Sequence, residues 1–309
     1  MTPGLTHGDA FAAHPDLKRF ARRLEPDGLF FYDAGLNPNS VTGSVVLTIH
    51  GNGDEADSWR HVLPILAVQH RVIAPDLPGF GRSKPWRQTT GQAAGQAAGQ
   101  GDLQDLAAGV LRILESQKIK SIHLIGSSMG AVIACMIAPH LDVSSLVLCG
   151  GSAPSLGLSE PSAGVKALLE PGVGEGYYTG LRAAGIDAAY ETLKPYYANL
   201  EQLSASDRTF LRDRVWARVW SDSQRGAFFA GLRSLFDPNL VVNVTNLEHL
   251  RTLLLWGEHD QIMPIQAAHA LRAHLPHARL EVIPEAGHLP HQERPEAFAS
   301  AVEAFWRRP

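Results

Sequence analysis

Cysteine is scarce, with two residues in 309, Cys135 and Cys149. One falls in an apolar helical stretch and the other in an apolar strand, which argues against a disulfide framework and for packed thiols in a reducing compartment. Charge of one sign is equally scarce. The formal net charge is −4 and no basic block occurs, so the footprint of a nucleic-acid or anionic-membrane binder is missing. No apolar run approaches the roughly 20 residues of a membrane span. Residues 1–16 have neither a basic start nor an apolar centre and do not read as a signal peptide. The 14 histidines are scattered without a two-ligand spacing backed by carboxylates, so no metal site is expected. The chain therefore reads as soluble and cytoplasmic. At this length an α/β chain can bury a substantial core and often forms one domain with an insertion.

What the chain has in quantity is an alternation of apolar runs and helical periodicity. Leu29 to Asp33, Val45 to Ile49, Val72 to Pro75, Ser121 to Ile125, Leu146 to Cys149, Arg251 to Gly257 and Arg279 to Ile283 read as strands. Their continuous apolar character suits a mostly parallel sheet covered on both faces. Helices are expected over Leu17 to Leu24, around Trp59 to Val68, and over Leu103 to Gln117, Ile265 to His274 and Arg294 to Trp306. In the third of these, Leu103, Leu106, Val110 and Leu114 recur at helical spacing, and Pro295 suits the first turn of the last. The class is α/β.

The most informative segment is Gly126-Ser127-Ser128-Met129-Gly130, between an apolar strand and the small-residue helical stretch Ala131 to Ala138. A strand, Gly-x-Ser-x-Gly and a helix in succession make a turn so tight that its serine is strained and only small residues fit on either side. Two later segments fall where such a serine needs them. Arg251 to Asp260 is a buried strand ending in a polar turn with an acid at its tip. Glu281 to His288 is a strand ending in a loop that carries a histidine. A serine hydroxyl is a poor nucleophile until an imidazole takes its proton, and that imidazole needs a buried carboxylate to fix its tautomer. Finally, Val45 to Gly53 runs from an apolar strand into the turn His50-Gly51-Asn52-Gly53, the kind of loop that supplies N–H donors to an oxyanion.

These motifs, with Asp76-Leu77-Pro78-Gly79-Phe80-Gly81-Arg82-Ser83, Trp256-Gly257-Glu258-His259-Asp260 and Gly287 to Pro295, span the chain from about position 40 to its end. In that order they resemble the α/β-hydrolase superfamily, most of all its esterase, cofactor-free haloperoxidase and carbon–carbon hydrolase branch. The resemblance implies an α/β-hydrolase fold and the chain order Ser128, Asp260, His288 for nucleophile, acid and base. It implies an oxyanion hole from the backbone N–H groups of Met129 and Asn52, and no organic cofactor. Serine at the elbow disfavours the dehalogenase and epoxide hydrolase chemistries, which use aspartate there. His50 and Asp76 are expected to shape their turns, His291 to be structural, and Glu293 and Arg294 to serve a helix start. Asp260 is preferred over Glu258 because it matches the family's acid position.

Between Gly150 and about Val244 the alternation stops. In the resembling family this position, between the sixth and seventh core strands, holds a helical cap, giving a core of residues 1–150 and 245–309 and a cap of 151–244. Eleven aromatics lie there, from Tyr177 to Phe236, of which one or two are expected to line a pocket. The repeat from Gly91 to Gln100 reads as a mobile surface loop. The expected function is hydrolysis of a small-molecule carboxylic ester through an acyl-enzyme. The alternatives on the same residues are perhydrolysis and carbon–carbon cleavage, and in another class a small-molecule receptor. Oligomeric state is not legible.

Overall fold

Alternating residues of one strand show how the sheet is covered. The computed structural model describes residues 11–35, 44–85, 102–151, 163–237, 239–242 and 247–307. In the strand Thr252–Gly257 all six residues are buried. Leu254 and Trp256 pack with Ile133 and Leu124, whereas Leu253 and Leu255 pack on the other face with Trp59 and Phe298. A strand buried on both faces must be apolar throughout, and the sequence pattern follows.

Among the described residues eight strands form one sheet: β1 Ala21–Leu24, β2 Leu29–Gly35, β3 Val45–Ile49, β4 Arg71–Pro75, β5 Ser121–Ser127, β6 Asp142–Cys149, β7 Thr252–Gly257 and β8 Arg279–Ile283. Their order is β1-β2-β4-β3-β5-β6-β7-β8. The pairs β1–β2 and β2–β4 are antiparallel and the rest parallel. One face carries the helices Leu103–Ser116 and Met129–Ile137, the other Val62–Leu66 and Pro295–Arg307. The first is capped by Asp102, whose carboxylate accepts the N–H groups of Gln104 and Asp105 at 2.9 and 3.0 Å.

One expected element is wrong. Leu17 to Leu24 is not a helix but a 3₁₀ turn, Pro15–Phe20, followed by β1. Across a tight turn with Gly28 at φ +69°, Leu24 pairs with Leu29 and Ala21 with Tyr32. That ladder outcompetes an isolated two-turn helix, which is marginal on its own. The repeat Gly91 to Gln100 lies outside the described residues.

Between β6 and β7 the described residues include the helices Ala163–Leu169, Val173–Ala184, Ile186–Glu191, Ala205–Trp220 and Asp222–Leu235. These helices have apolar clusters of their own, such as Ala189, Val215 and Val219 with Tyr178 and Trp216. Buried charge joins them to the sheet. Arg214 and Arg218, on the helix Ala205–Trp220, reach the loop after β3. Arg214 lies 3.1 Å from Glu55 and 2.7 Å from Asp57. Arg218 lies 3.0 Å from Asp54 and 3.1 Å from Glu55. From the loop after β4, Arg82 meets Asp57 at 3.0 Å and Asp76 at 2.7 Å, and Tyr32 donates to Asp57 at 2.5 Å.

Burial alone would push the Glu55 carboxyl up, but Arg218, Arg214 and Arg82 outweigh it and hold its pKa at about 2. A folded pKa below the ordinary 4.5 means that Glu55 contributes stability in full above about pH 4.5, and that this is lost as pH falls towards 2. Urea midpoints should fall across that window, and Glu55→Gln should flatten this part of the profile. Arg214→Ala, which strands Glu55 and Asp57 without their shared cation, should cost about 3–5 kcal/mol in urea unfolding at pH 7.

Candidate active site

β5 ends at Ser127 and the next helix begins at Met129, so the turn is made by one residue, Ser128. Its φ of 54° and ψ of −122° are sparsely populated for a residue with a side chain, at a cost of about 1–3 kcal/mol. The surroundings impose the conformation. Ser128 donates its N–H to the Cys149 carbonyl at 2.7 Å, and its own carbonyl accepts from Ala131 at 2.9 Å. A Cβ on Gly126 would lie 2.3 Å from the Gly130 carbonyl oxygen, and one on Gly130 would lie 2.3 Å from that of Ile49. Neither position admits a side chain.

Asp260 sits in the turn after β7. Trp256 Nε1 donates to the Met263 carbonyl at 2.7 Å and closes that turn. Asp260 Oδ1 accepts the N–H groups of Ile262 and Met263 at 2.9 and 2.8 Å. His288, in the loop after β8, places Nδ1 2.9 Å from Asp260 Oδ2 and 3.1 Å from Oδ1, and both side chains are buried. Because an ionised carboxylate only accepts, Nδ1 carries the proton and Nε2 the lone pair. His288 Nε2 is buried and makes no hydrogen bond among the described residues. Ser128 and His288 line the same cavity. An imidazole oriented in this way can take a proton from a hydroxyl and return it.

The loop after β3 runs beside the serine, since a Cβ on Gly51 would lie 3.0 Å from Ser128 Cβ. His50 fixes this loop: its Nδ1 donates to the Gly51 carbonyl at 2.8 Å, and its Nε2 accepts from Leu77 N–H at 2.9 Å. Asn52 lines the cavity, and its Nδ2 donates to the Phe228 carbonyl at 3.0 Å. Met129 is the first residue of its helix, so its N–H has no intrahelical acceptor. Both residues meet the helix Asp222–Leu235, where a Cβ on Gly231 would lie 2.7 Å from Asn52 Oδ1 and 2.9 Å from Met129 Sδ.

Several contributors escaped the sequence reading. Gly150, at φ +56°, passes so close that a Cβ there would lie 3.1 Å from His288 Nδ1. Glu293 is not helix-start chemistry. It is buried, and it accepts from Gly287 N–H at 2.6 Å and Ala198 N–H at 2.7 Å. It thereby ties the His288 loop to the helical segment, whose Tyr196 carbonyl accepts from His288 N–H at 2.9 Å. Burial raises the Glu293 carboxyl despite these donors. His291 is structural: it stacks on Trp59 with ring centres 4.2 Å apart and pairs with Ser58 at 2.8 Å. Asp76 accepts from Ala56 N–H at 2.8 Å as well as binding Arg82.

The cavity encloses about 200 Å³. Five of the eleven aromatics line it, Tyr177, Tyr178, Tyr196, Tyr197 and Phe228, more than the one or two expected. A larger groove, about 1580 Å³ along Leu103–Ser116 and Pro139 to Asp142, includes none of Ser128, Asp260 and His288. With its added methyl pressing on Asn52 and Met129, Gly231→Ala should lower kcat for a p-nitrophenyl ester by about 10–100-fold. Its melting temperature should change little, which calorimetry would check.

Comparison with known proteins agrees with this architecture. The alpha/beta hydrolase family matches residues 46–301. The chain is 29% identical over 293 residues to 2-hydroxymuconate semialdehyde hydrolase of Pseudomonas sp. (strain CF600), covering 88% of this chain and 91% of the relative. It is 27% identical over 282 residues to 2-hydroxy-6-oxononadienedioate/2-hydroxy-6-oxononatrienedioate hydrolase of Cupriavidus pinatubonensis, covering 87% and 89%. Among solved structures, 2-hydroxy-6-oxo-6-phenylhexa-2,4-dienoate hydrolase from Rhodococcus sp. strain RHA1 superposes with a TM-score of 0.71 at 22% identity, over 91% of this chain and 95% of that one. On the extent of the family match and the shared architecture, this chain belongs to the alpha/beta hydrolase family.

Proposed function

We propose that the protein is a serine hydrolase that cleaves a small-molecule carboxylic ester through an acyl-enzyme, with Ser128 as nucleophile, His288 as base and Asp260 as its orienting acid. One observation carries the reading. His288 is held at Nδ1 by Asp260 and keeps a buried, unpartnered Nε2 in the wall of the cavity that contains the strained Ser128. Ser128 Oγ attacks the ester carbonyl carbon while its proton passes to His288 Nε2. The N–H groups of Met129 and Asn52 stabilise the oxyanion. The intermediate collapses, the carbon–oxygen bond to the leaving group breaks, and His288 gives its proton to the departing alcohol. Water then repeats the sequence on the acyl-enzyme and frees the acid and Ser128.

Residues 151–244 form the cap of this enzyme, and 1–150 with 245–309 its core. The cap supplies the aromatic wall of the cavity. Two buried free cysteines, Cys135 and Cys149, suit a cytoplasmic setting. A second reading, carbon–carbon bond hydrolysis on the same residues, is favoured by the names of the relatives given above.

The test is hydrolysis of p-nitrophenyl esters of rising acyl length beside decay of a ring-fission dienoate. Ester turnover that peaks at one acyl length and falls roughly 10⁶-fold in Ser128→Ala supports the reading. Turnover that survives Ser128→Ala overturns it, and dienoate decay without ester turnover transfers the assignment to the second reading.

A further inference from the structure

Four tyrosines line the cavity, and the protein uses the hydroxyl of only one of them. Tyr197 Oη donates to Gln292 Oε1 at 3.0 Å. Among the described residues, the hydroxyls of Tyr177, Tyr178 and Tyr196 have no hydrogen-bond partner. A tyrosine hydroxyl in a largely buried wall usually finds one. Tyr178 and Tyr196 are half-buried, and their hydroxyls are accessible rather than sealed in the core. Tyr177 is 40% exposed and stands at the rim.

The three belong to one patch. Tyr178 meets Tyr177 edge-on with ring centres 5.5 Å apart, and the Tyr196 ring lies 5.9 Å from that of His288. Burial raises the pKa of both Tyr178 and Tyr196, and after burial come Tyr177 and Tyr196 acting on Tyr178, and Tyr177 acting on Tyr196. In a cavity of about 200 Å³ these hydroxyls face one small ligand. The wall does not satisfy them. Asp54 Oδ1 accepts from Arg218 and from Glu55 N–H, each at 3.0 Å, and Oδ2 from Gln292 at 3.2 Å. Gln292 Oε1 takes Arg60 at 3.2 Å as well as Tyr197. Gln224 Oε1 accepts from Gly81 N–H at 3.1 Å. Asn52 Oδ1 is buried against Gly231 and Met129. Each of these acceptors is in use or shut away, while the tyrosine donors stand open.

We infer that the site takes a substrate whose chain carries an oxygen acceptor, a ketone or a hydroxyl, beyond the scissile carbonyl, and that Tyr178 and Tyr196 select it by donating to that oxygen. The inference rests on the serine-hydrolase reading and narrows its substrate class. A plain hydrocarbon chain would shut both hydroxyls off from any partner, and a site built to hydrogen-bond a substrate oxygen discriminates against the analogue that lacks it.

The test uses alkylboronic acids, which add reversibly to a nucleophilic serine and need no leaving group. Each carries a ketone at a successive carbon of the chain and is paired with the analogue bearing C=CH2 in place of C=O, close to it in size. Binding is read as protection of Ser128 from labelling by a fluorophosphonate. At one position the ketone should have an inhibition constant at least about tenfold lower than its partner, the worth of one hydrogen bond to a buried group. Tyr178→Phe and Tyr196→Phe should each bring that ratio towards one. A merely structural role would weaken both inhibitors together and leave the ratio as it is. Equal protection by ketone and methylene analogues at every position, or a ratio unchanged in both variants, overturns the inference. Failure of the fluorophosphonate to label Ser128 at all would instead sink the serine-hydrolase reading, and the inference with it.

Discussion

Arg82, Arg214 and Arg218 come from two distant stretches of chain and converge on four carboxylates, three of which lie in the loop after β3. Such a cluster is stable only as a whole, because removing one partner leaves a buried charge uncompensated. The geometry of the site follows from this. The loop that the carboxylates anchor contains Gly51 and Asn52 beside Ser128, and two of the arginines that hold it, Arg214 and Arg218, belong to the helix Ala205–Trp220, which also lines the cavity. Core and helical layer are therefore registered to each other at the place where substrate would lie. Apolar contacts alone are non-directional and would fix that register less sharply.

A second constraint is steric. Four glycines surround the serine and the histidine so closely that backbone occupies the space of a side chain. Gly126 and Gly130 flank the elbow, Gly51 passes Ser128, and Gly150 passes His288. The strained Ser128 is held from both sides, by the Cys149 carbonyl on the neighbouring strand and by the first turn of its own helix. The His288 loop is held likewise, by Glu293 at Gly287 N–H and by the Tyr196 carbonyl at His288 N–H. Groups fixed before substrate arrives need little reorganisation during reaction, and this network provides that for the proposed triad.

The relatives given above are named as a 2-hydroxymuconate semialdehyde hydrolase and a 2-hydroxy-6-oxononadienedioate/2-hydroxy-6-oxononatrienedioate hydrolase, and the charged lining of the cavity here is Asp54, Arg218 and Arg225. Family membership fixes the scaffold, and the chemistry done on it is set by a few side chains in the wall. Here those side chains lie in the helical segment and in the loop after β3.

The sequence by itself determined the elements and the order of the motifs. The apolar runs gave the strands because a sheet buried on both faces tolerates nothing else, and Gly-x-Ser-x-Gly marked the elbow because only glycine survives contacts of 2.3 Å. Ser128, Asp260 and His288 were legible as residue types at strand ends. The leading segment Leu17 to Leu24 was misread because its periodicity is short and pairing with β2 overrides it. Glu293 looked like a helix start because its two acceptor bonds reach the loop at Gly287 and a segment 95 residues away. Arg218 carried no local signal at all: its partners, Asp54 and Glu55, lie more than 160 positions earlier in the chain. Only the tertiary structure decided which aromatics face the cavity and which charges are already neutralised, because both depend on contacts between distant segments that no local pattern encodes.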